Sequence, residues 1–563
     1  MKKKLTAAIL LSALAVSSAA GAFDFPEPDW GALLNERTAM VSETDFELYA
    51  EAPITSAPYY GAKFEPVGGT YLGAIPENST PLMPLGAYLT YIDNMRQDDF
   101  YYPANSMISS DSVITMAGWT IDDLGSVDLD HVRTVLQTLN SYGKPIFVRF
   151  ANEMNGSALG DDPTLYVDTF RSVANMIHEY PNLAVVWSPM DIGSLDRPFE
   201  YYYPGDEYVD WIGVSCYTIK YFLGNQNTSL NDSIYFMTGD YGWTTNRLKP
   251  VLKFMQDNNI NKPVMISEGG VAVNNQYGEA LEEWAKPRLR NMLWNTVMKY
   301  PQVKMINYFD VYRENEVEHF DISDCQYAID IFNDAKNNGP YIPSYGADAS
   351  YVFQPAAQAG TLAAENGYVP VYMLAHIPGT PTPQINYSID GVWYHAVSEA
   401  PYTCPLNVGS MTDGAHTLTV SAAGLSKDYT FYKNGSSISF AGPVEYTPPA
   451  VTVTLNGNAI AFDQPPIIQD GRTLVPMRAI FEALGAEVSW DGGTQTVTAY
   501  RGESTMTLTI GSSILSIDGR EIVLDVPAQL VNDRTLVPVR AVSESFGCGV
   551  DWNGDTQTVI ITN

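Results

Sequence analysis

From Gly68 to Gly339 the chain alternates short apolar runs with amphipathic stretches. The runs are TYLGAI, AYLTYI, SVITMAG, PIFVRFANE, LAVVWSP, VDWIGVSCY, PVMISEGG and KMINYFDV. They are apolar throughout instead of alternating, as strands buried on both faces are. Between them lie helical stripes. After Asp128, a good N-cap residue, Val132, Val135, Leu136 and Leu139 share one face, and Tyr166, Phe170, Val173 and Ile177 share another. Eight strands interleaved with helices predict an α/β fold, a (β/α)8 or TIM barrel, over residues 68–340.

Beyond the barrel the period changes. PQINYSIDGVWYHAV and DGAHTLTVSAAG alternate strand residues around Asp-Gly turns, which predicts an all-β sandwich over 347–446. Trp393 and Tyr394 read as core aromatics of that sandwich, with sugar stacking as the alternative. YTPPAV, 446–451, reads as a linker. GRTLVPMRAIFEALGAEVSWDGGTQTVTA then returns as DRTLVPVRAVSESFGCGVDWNGDTQTVII. Arg472 maps to Arg534, Trp490 to Trp552 and Gly457 to Gly519, each 62 residues on, so residues 450–563 form a two-repeat α+β domain. Each repeat predicts short strands, a helix opening at the Pro of TLVP, and a final strand–turn–strand. The whole chain is therefore expected to be multidomain.

The opening, MKKKLTAAILLSALAVSSAAGA, has a basic start, an apolar stretch and a small-residue end, which predicts a signal peptide over 1–22. Residues 23–67 are left as an N-terminal extension packing on the barrel. No later apolar run is long enough to span a bilayer, so a secreted protein is expected, with cell-surface association as an option.

Charge narrows the partners. With 64 Asp and Glu against 31 Lys and Arg, the net charge of −33 disfavours nucleic acid and anionic membranes and suits a neutral ligand. The four cysteines, Cys216, Cys325, Cys404 and Cys548, lie far apart, which argues against a disulfide framework or a zinc site. A single Cys216–Cys325 bridge stays open. Neither a metal nor an organic cofactor is expected.

In such a barrel the chemistry sits at the C-terminal ends of the strands. The fourth run ends in Arg149, Asn152, Glu153 and Asn155, the sixth in Ser215 and Tyr217, and the seventh in Glu268. Trp119, Trp187 and Tyr308 end the third, fifth and eighth, and read as an aromatic wall. Two carboxylates with amides, a tyrosine and flat apolar faces fit glycoside hydrolysis: one acid protonates the leaving oxygen while a second group attacks. Either Glu alone is more often a solvated loop residue; the pair at strands four and seven is more specific.

RFANEMNG, YYPGDEYVDWIGVSCY and KPVMISEGG resemble the motifs of glycoside hydrolase family 26, over about half the chain. The resemblance implies a retaining β-glycoside hydrolase, β-mannanase or related β-glycanase. Glu153 would be general acid/base and Glu268 nucleophile, Tyr217 would hydrogen-bond the nucleophile and tune its charge, and Arg149 would brace the site electrostatically. Asn152 stands where this family usually has His; Asn is common in the wider clan, where it meets a sugar hydroxyl. No tryptophan follows the Met-Asn-Gly, and Ser215 replaces a usual Asp, which puts mannan specificity in question. A catalytically inactive glycan-binding barrel is the alternative. DGAHTLTVSA is similar to bacterial immunoglobulin-like modules. The C-terminal repeats resemble copper amine oxidase N-terminal-like stalk repeats; they contain no His, so no copper is expected. They read as a spacer or attachment module, with cell-wall glycan contact as the lesser option.

Overall fold

The computed structural model describes residues 32, 36, 39–40, 43–75, 85–93, 114–121, 123–190, 197–218, 248–275, 281–312, 318–380, 382–442, 451–469, 472–531, 534–553 and 558–563. The expected signal peptide and most of the expected linker lie outside them. The chain divides into two compact units, residues 1–444 and 445–563.

In the first unit eight parallel strands follow one another in chain order: β1 (Thr70–Ala74), β2 (Ala87–Asp93), β3 (Ile114–Thr120), β4 (Ile146–Phe150), β5 (Leu183–Trp187), β6 (Trp211–Thr218), β7 (Val264–Val271) and β8 (Val303–Tyr308). The sheet closes because Met305–Tyr308 of β8 pair with Tyr71–Ala74 of β1. All eight predicted runs are these strands. The helix Leu129–Ser141 starts at Asp128, whose carboxylate accepts from Asp130 N, and buries Val132, Leu136 and Leu139. Pro163–His178 starts at Asp162 and buries Tyr166, Phe170, Val173 and Ile177. The stripes read from sequence are thus the faces turned to the barrel.

Strand alternation separates two apolar layers. Tyr71, Leu89, Phe147, Val186, Trp211, Met265 and Met305 fill the barrel. Val148, Phe150, Val185, Ile212, Ile266 and Ile306 pack outward, in one cluster with the helices. The segment before β1 closes the N-terminal mouth. Phe64 meets Phe147 edge-on at 5.6 Å, and Trp211 Nε1 donates to Lys63 O at 2.7 Å. Lys304 is fully buried there; burial pushes its ammonium down to about 8, against the opposing pull of Glu65.

The N-terminal extension is only partly what was expected. Asp45–Ala52 is an inner strand of a four-stranded sheet, between Val352–Pro355 and Tyr368–His376, with Thr403–Asn407 beyond. Leu48 and Ala50 join Val371, Met373, Leu418, Val420 and Phe431 in the core shared with a six-stranded sheet. The alternate face, with Tyr49, Phe353, Tyr372 and Leu374, belongs to the barrel's outer cluster. The sandwich is therefore completed by a strand from before the barrel, because DFELYAEA buries one face in each layer. Trp393 does not enter this core: it is 67 % exposed on an edge strand, Val392–Val397. All four cysteines are buried and none is in a disulfide, so the bridge left open between Cys216 and Cys325 is not formed.

The second unit is built by its repeats. Arg472–Pro476 pairs antiparallel with its own repeat, Arg534–Pro538, so that Val475 faces Val537. Helices Met477–Ala483 and Val539–Ser545 begin directly after Pro476 and Pro538. Arg472 reaches Asp525 while Arg534 reaches Asp463, a reciprocal exchange across the local pseudo-twofold.

Candidate active site

The carboxylate on β4 is presented by an unusual backbone. Ala151 and Glu153 both adopt left-handed conformations, φ 47° and 59°. Each costs on the order of 1 kcal/mol or more for a residue with a side chain. The turn is held by Ala151 N donating to Trp119 O at 3.0 Å and Glu153 N to Ser188 O at 2.8 Å. Asn155 is buried and exchanges two bonds with the backbone of Met190, at 2.9 and 3.3 Å. A Cβ on Gly156 would sit 2.1 Å from Met190 Sδ, so glycine lets the β4 and β5 loops close. Asn155 and Gly156 are scaffolding.

The carboxylate on β7 is aimed by a bulge. Val214 of β6 faces Ile266, but Ser215 faces Glu268, and β8 shows the same slip from Ile306–Ile266 to Tyr308–Gly269. Ser267 is the extra residue. Strict alternation would turn Ser267 and Glu268 to opposite faces; the bulge lets both turn inward, since Ser267 Oγ meets Ser188 Oγ at 2.7 Å.

Arg149 joins the two carboxylates. Its side chain is fully buried, yet each guanidinium nitrogen is used: Nε donates to Ser188 Oγ at 2.8 Å, Nη1 to Glu268 Oε2 at 2.6 Å, and Nη2 to Glu153 Oε1 at 3.1 Å and to Ser215 Oγ. Burial alone would weaken its hold on the proton. The charges of Glu268 and Glu153 outweigh that, so the guanidinium stays charged at any working pH.

Glu268 is the more enclosed of the pair, its side chain 9 % exposed against 30 % for Glu153. Tyr217 donates to Oε1 of Glu268, and Tyr91 from β2 donates to Oε2. Burial, reinforced by the Glu268 charge, raises both phenols well above their usual range, so both remain donors. Asn152 Oδ1 is buried without a partner, an acceptor left open beside Glu153. Among the described residues no cluster of His, Cys, Asp and Glu could hold a metal.

Sequence reading placed Arg149, Asn152, Glu153, Tyr217 and Glu268 together, and the structure brings all five to one end of the barrel. The aromatic wall is different. Trp119, Trp187 and Tyr308 are completely buried in the outer layer. Trp119 packs on Phe150, Trp187 Nε1 donates to Tyr202 O, and Tyr308 Oη donates to Val271 O and Phe320 O. Each lies one residue out of phase. The inward neighbours are Gly118, Ser188 and Phe309, and a one-residue shift exchanges the faces of a strand. Tyr91 was missed because no candidate was taken from the second run, although it ends an inward series with Ala87 and Leu89. Gly118 makes its room: a Cβ there would lie 2.9 Å from the Tyr91 ring. The rings beside the site are Phe309 and Phe320, which contact Tyr217 edge-on at 5.6 and 5.1 Å.

Residues 96–284 match the model for glycosyl hydrolase family 26, a span holding Arg149, Glu153, Tyr217 and Glu268 but neither Tyr91 nor β8. Residues 454–561 match the copper amine oxidase N-terminal domain. Two curated relatives, a β-1,3-xylanase from an Alcaligenes species and β-1,3-xylanase TXYA from a Vibrio species, are each 26 % identical over 146 residues. Those 146 residues are 24 % of this chain and 25 and 26 % of the relatives, so the chain spans about a quarter of the length of the curated relatives it matches. Among solved structures, a modular endo-β-1,4-mannanase from Cellulomonas fimi matches with 14 % identity and a TM-score of 0.34, over 64 % of this chain and 93 % of that one.

Proposed function

We propose that the family 26-like barrel of this chain is an exported retaining β-glycoside hydrolase that cleaves a β-glycan internally by double displacement. The observation that carries this is the unequal treatment of two carboxylates bridged by one guanidinium. Glu268, enclosed, takes bonds from Arg149, Tyr217 and Tyr91, which fix the orientation of its carboxylate for attack. Glu153, more open and touched by one Arg149 nitrogen, can exchange protons with solvent.

In the first step Glu153 gives its proton to the glycosidic oxygen while a Glu268 oxygen bonds to the anomeric carbon, and the aglycone leaves as an alcohol. In the second, Glu153 removes a proton from water, water displaces Glu268, and the sugar departs with its original configuration. Asn152, whose Oδ1 is buried beside Glu153 with no partner in the protein, is assigned as a sugar contact. For substrate, β-1,3-xylan stands beside β-mannan because the curated relatives are named β-1,3-xylanases.

The test is a screen of β-mannan, β-1,3-xylan and β-glucans with product sizing, followed by trapping with a 2-fluoro glycosyl inactivator. A covalent label on Glu268, and loss of turnover in a folded Glu268→Ala variant, are expected. An unlabelled protein that binds glycan without cleaving it would overturn catalysis in favour of a binding role.

A further inference from the structure

We infer that the outward face of the sandwich's six-stranded sheet, centred on Trp393, is a second glycan-binding site, outside the barrel, for a neutral polysaccharide chain. The edge strand Val392–Val397 pairs with Ile385–Ile389 so that His395 lies opposite Tyr387, which points into the core, whereas Trp393 lies opposite Ser388. Tyr394 is the extra residue of this bulge. Strict alternation from His395 would turn Trp393 inward; the bulge turns it out, and 67 % of it is exposed. The support is braced on two sides. Tyr394 Oη donates to Pro405 O at 2.6 Å and accepts from Asn407 N at 2.8 Å, which ties the edge strand to Thr403–Asn407 of the other sheet. Asp390, in the turn just before Trp393, accepts from Thr417 N at 2.9 Å and from His416 Nδ1 at 2.7 Å. A rigidly held indole that contributes little to the core leaves its face to a ligand.

The neighbours define that ligand. From the edge the sheet runs through Ile385–Ile389, Gly414–Ala422 and Leu425–Asn434. Ser388 lies opposite Thr419, and Thr419 opposite Asp428, to whose carboxylate its hydroxyl donates at 2.7 Å. Asn386, Ser421 and Ser426 make the next row. Strands lie about 4.8 Å apart, so the row from Trp393 to Asp428 spans about 14 Å, room for a short run of sugar rings. The indole offers a flat surface to the apolar face of one pyranose, and the hydroxyls, amide and carboxylate beside it match sugar hydroxyls. A protein partner would need roughly 800 Å² with an apolar centre, which one indole among hydroxyls does not supply. The Asp428 carboxylate and the net charge of −33 select a neutral chain over an anionic one. The face binds whether or not the barrel cleaves, so it stands apart from the reaction proposed above.

The experiment uses the full chain carrying Glu268→Ala, to prevent cleavage, and measures its depletion from solution by insoluble β-mannan, β-1,3-xylan, β-1,3-glucan and cellulose. Adding Trp393→Ala should weaken binding to the preferred polysaccharide about tenfold, the value of one aromatic stacking contact, with Tm unchanged because the ring is exposed. Trp393→Tyr should recover most of the loss, and Asp428→Ala should show a smaller one. With Glu268 intact, Trp393→Ala should leave kcat/KM on soluble oligosaccharides unchanged while slowing attack on the insoluble glycan. Equal binding with and without Trp393, or no binding to any of the four polysaccharides, would overturn the inference. So would an effect of Trp393→Ala confined to sedimentation, which would make the face a contact between two copies of this chain.

Discussion

Arg149 and Lys304 are both completely buried inside the same barrel, one toward each end, and their environments drive them in opposite directions. Arg149 has two carboxylates and two serine hydroxyls arranged around its fork, and its hold on the proton is strengthened. Lys304 has the carbonyl of Val67 at 3.4 Å and the more distant charge of Glu65, and burial wins. A low-dielectric interior amplifies whichever partners are present. Guanidinium, planar with five donors, can serve four groups; an ammonium acts as a point charge. The charged end of the barrel is thus organised around its cation, whereas the closed end merely tolerates one.

The sharpest way to break this contrast is Arg149→Met. Two carboxylates would then share one site without a cation and compete for a proton. Activity should fall by about a thousandfold or more. Breaking the buried pairs should also lower stability by about 3–5 kcal/mol, read by denaturant unfolding. Activity within tenfold of wild type would refute the bridging role. Next come Tyr91→Phe and Tyr217→Phe, which each remove one donor from Glu268. A hydrogen bond to a charged group is worth about 1.5–3 kcal/mol, so kcat should fall between tenfold and about a hundredfold with KM little changed. Tyr91 lies outside the family-matched span, and an unaffected Tyr91→Phe would remove it from the site.

The smallest effect has the opposite sign. Lys304 releases its proton near 8 in the folded chain and near 10.4 when unfolded. Between those values the unfolded chain holds more protons, so wild-type stability climbs with pH; below 8 the penalty is fully present. Lys304→Met should therefore stabilise at pH 7, on the order of 2–3 kcal/mol, with the gain shrinking toward pH 10. Destabilisation at pH 7 would show that the Glu65 charge matters more than burial.

The barrel was legible because its strands are uninterrupted apolar runs and its helices carry clean stripes. The charged half of the site was legible because strand ends face the cleft and Glu153 and Glu268 end two of them. The aromatic half was not, since naming a strand does not fix its phase: Trp119, Trp187 and Tyr308 each stand one residue from the inward position. Nor could alternation place Glu268, whose direction depends on a bulge seen only against the neighbouring strands. The Asp45–Ala52 strand was hidden by distance, since its partners lie roughly 300 residues away.

That separation has a kinetic consequence. Leu48 N donates to Tyr429 Oη across 381 residues, and the whole barrel lies between the sandwich's first strand and the rest. Closing a loop of that length carries an entropy term of about (3/2)RT ln n, near 5 kcal/mol, and high contact order slows folding. As synthesis proceeds from the N-terminus, the barrel can form before the sandwich has all its strands. The first strand must then wait, edge unpaired, for partners made last, so a permuted chain with Asp45–Ala52 moved behind Asn434 should assemble its sandwich faster than the natural order does.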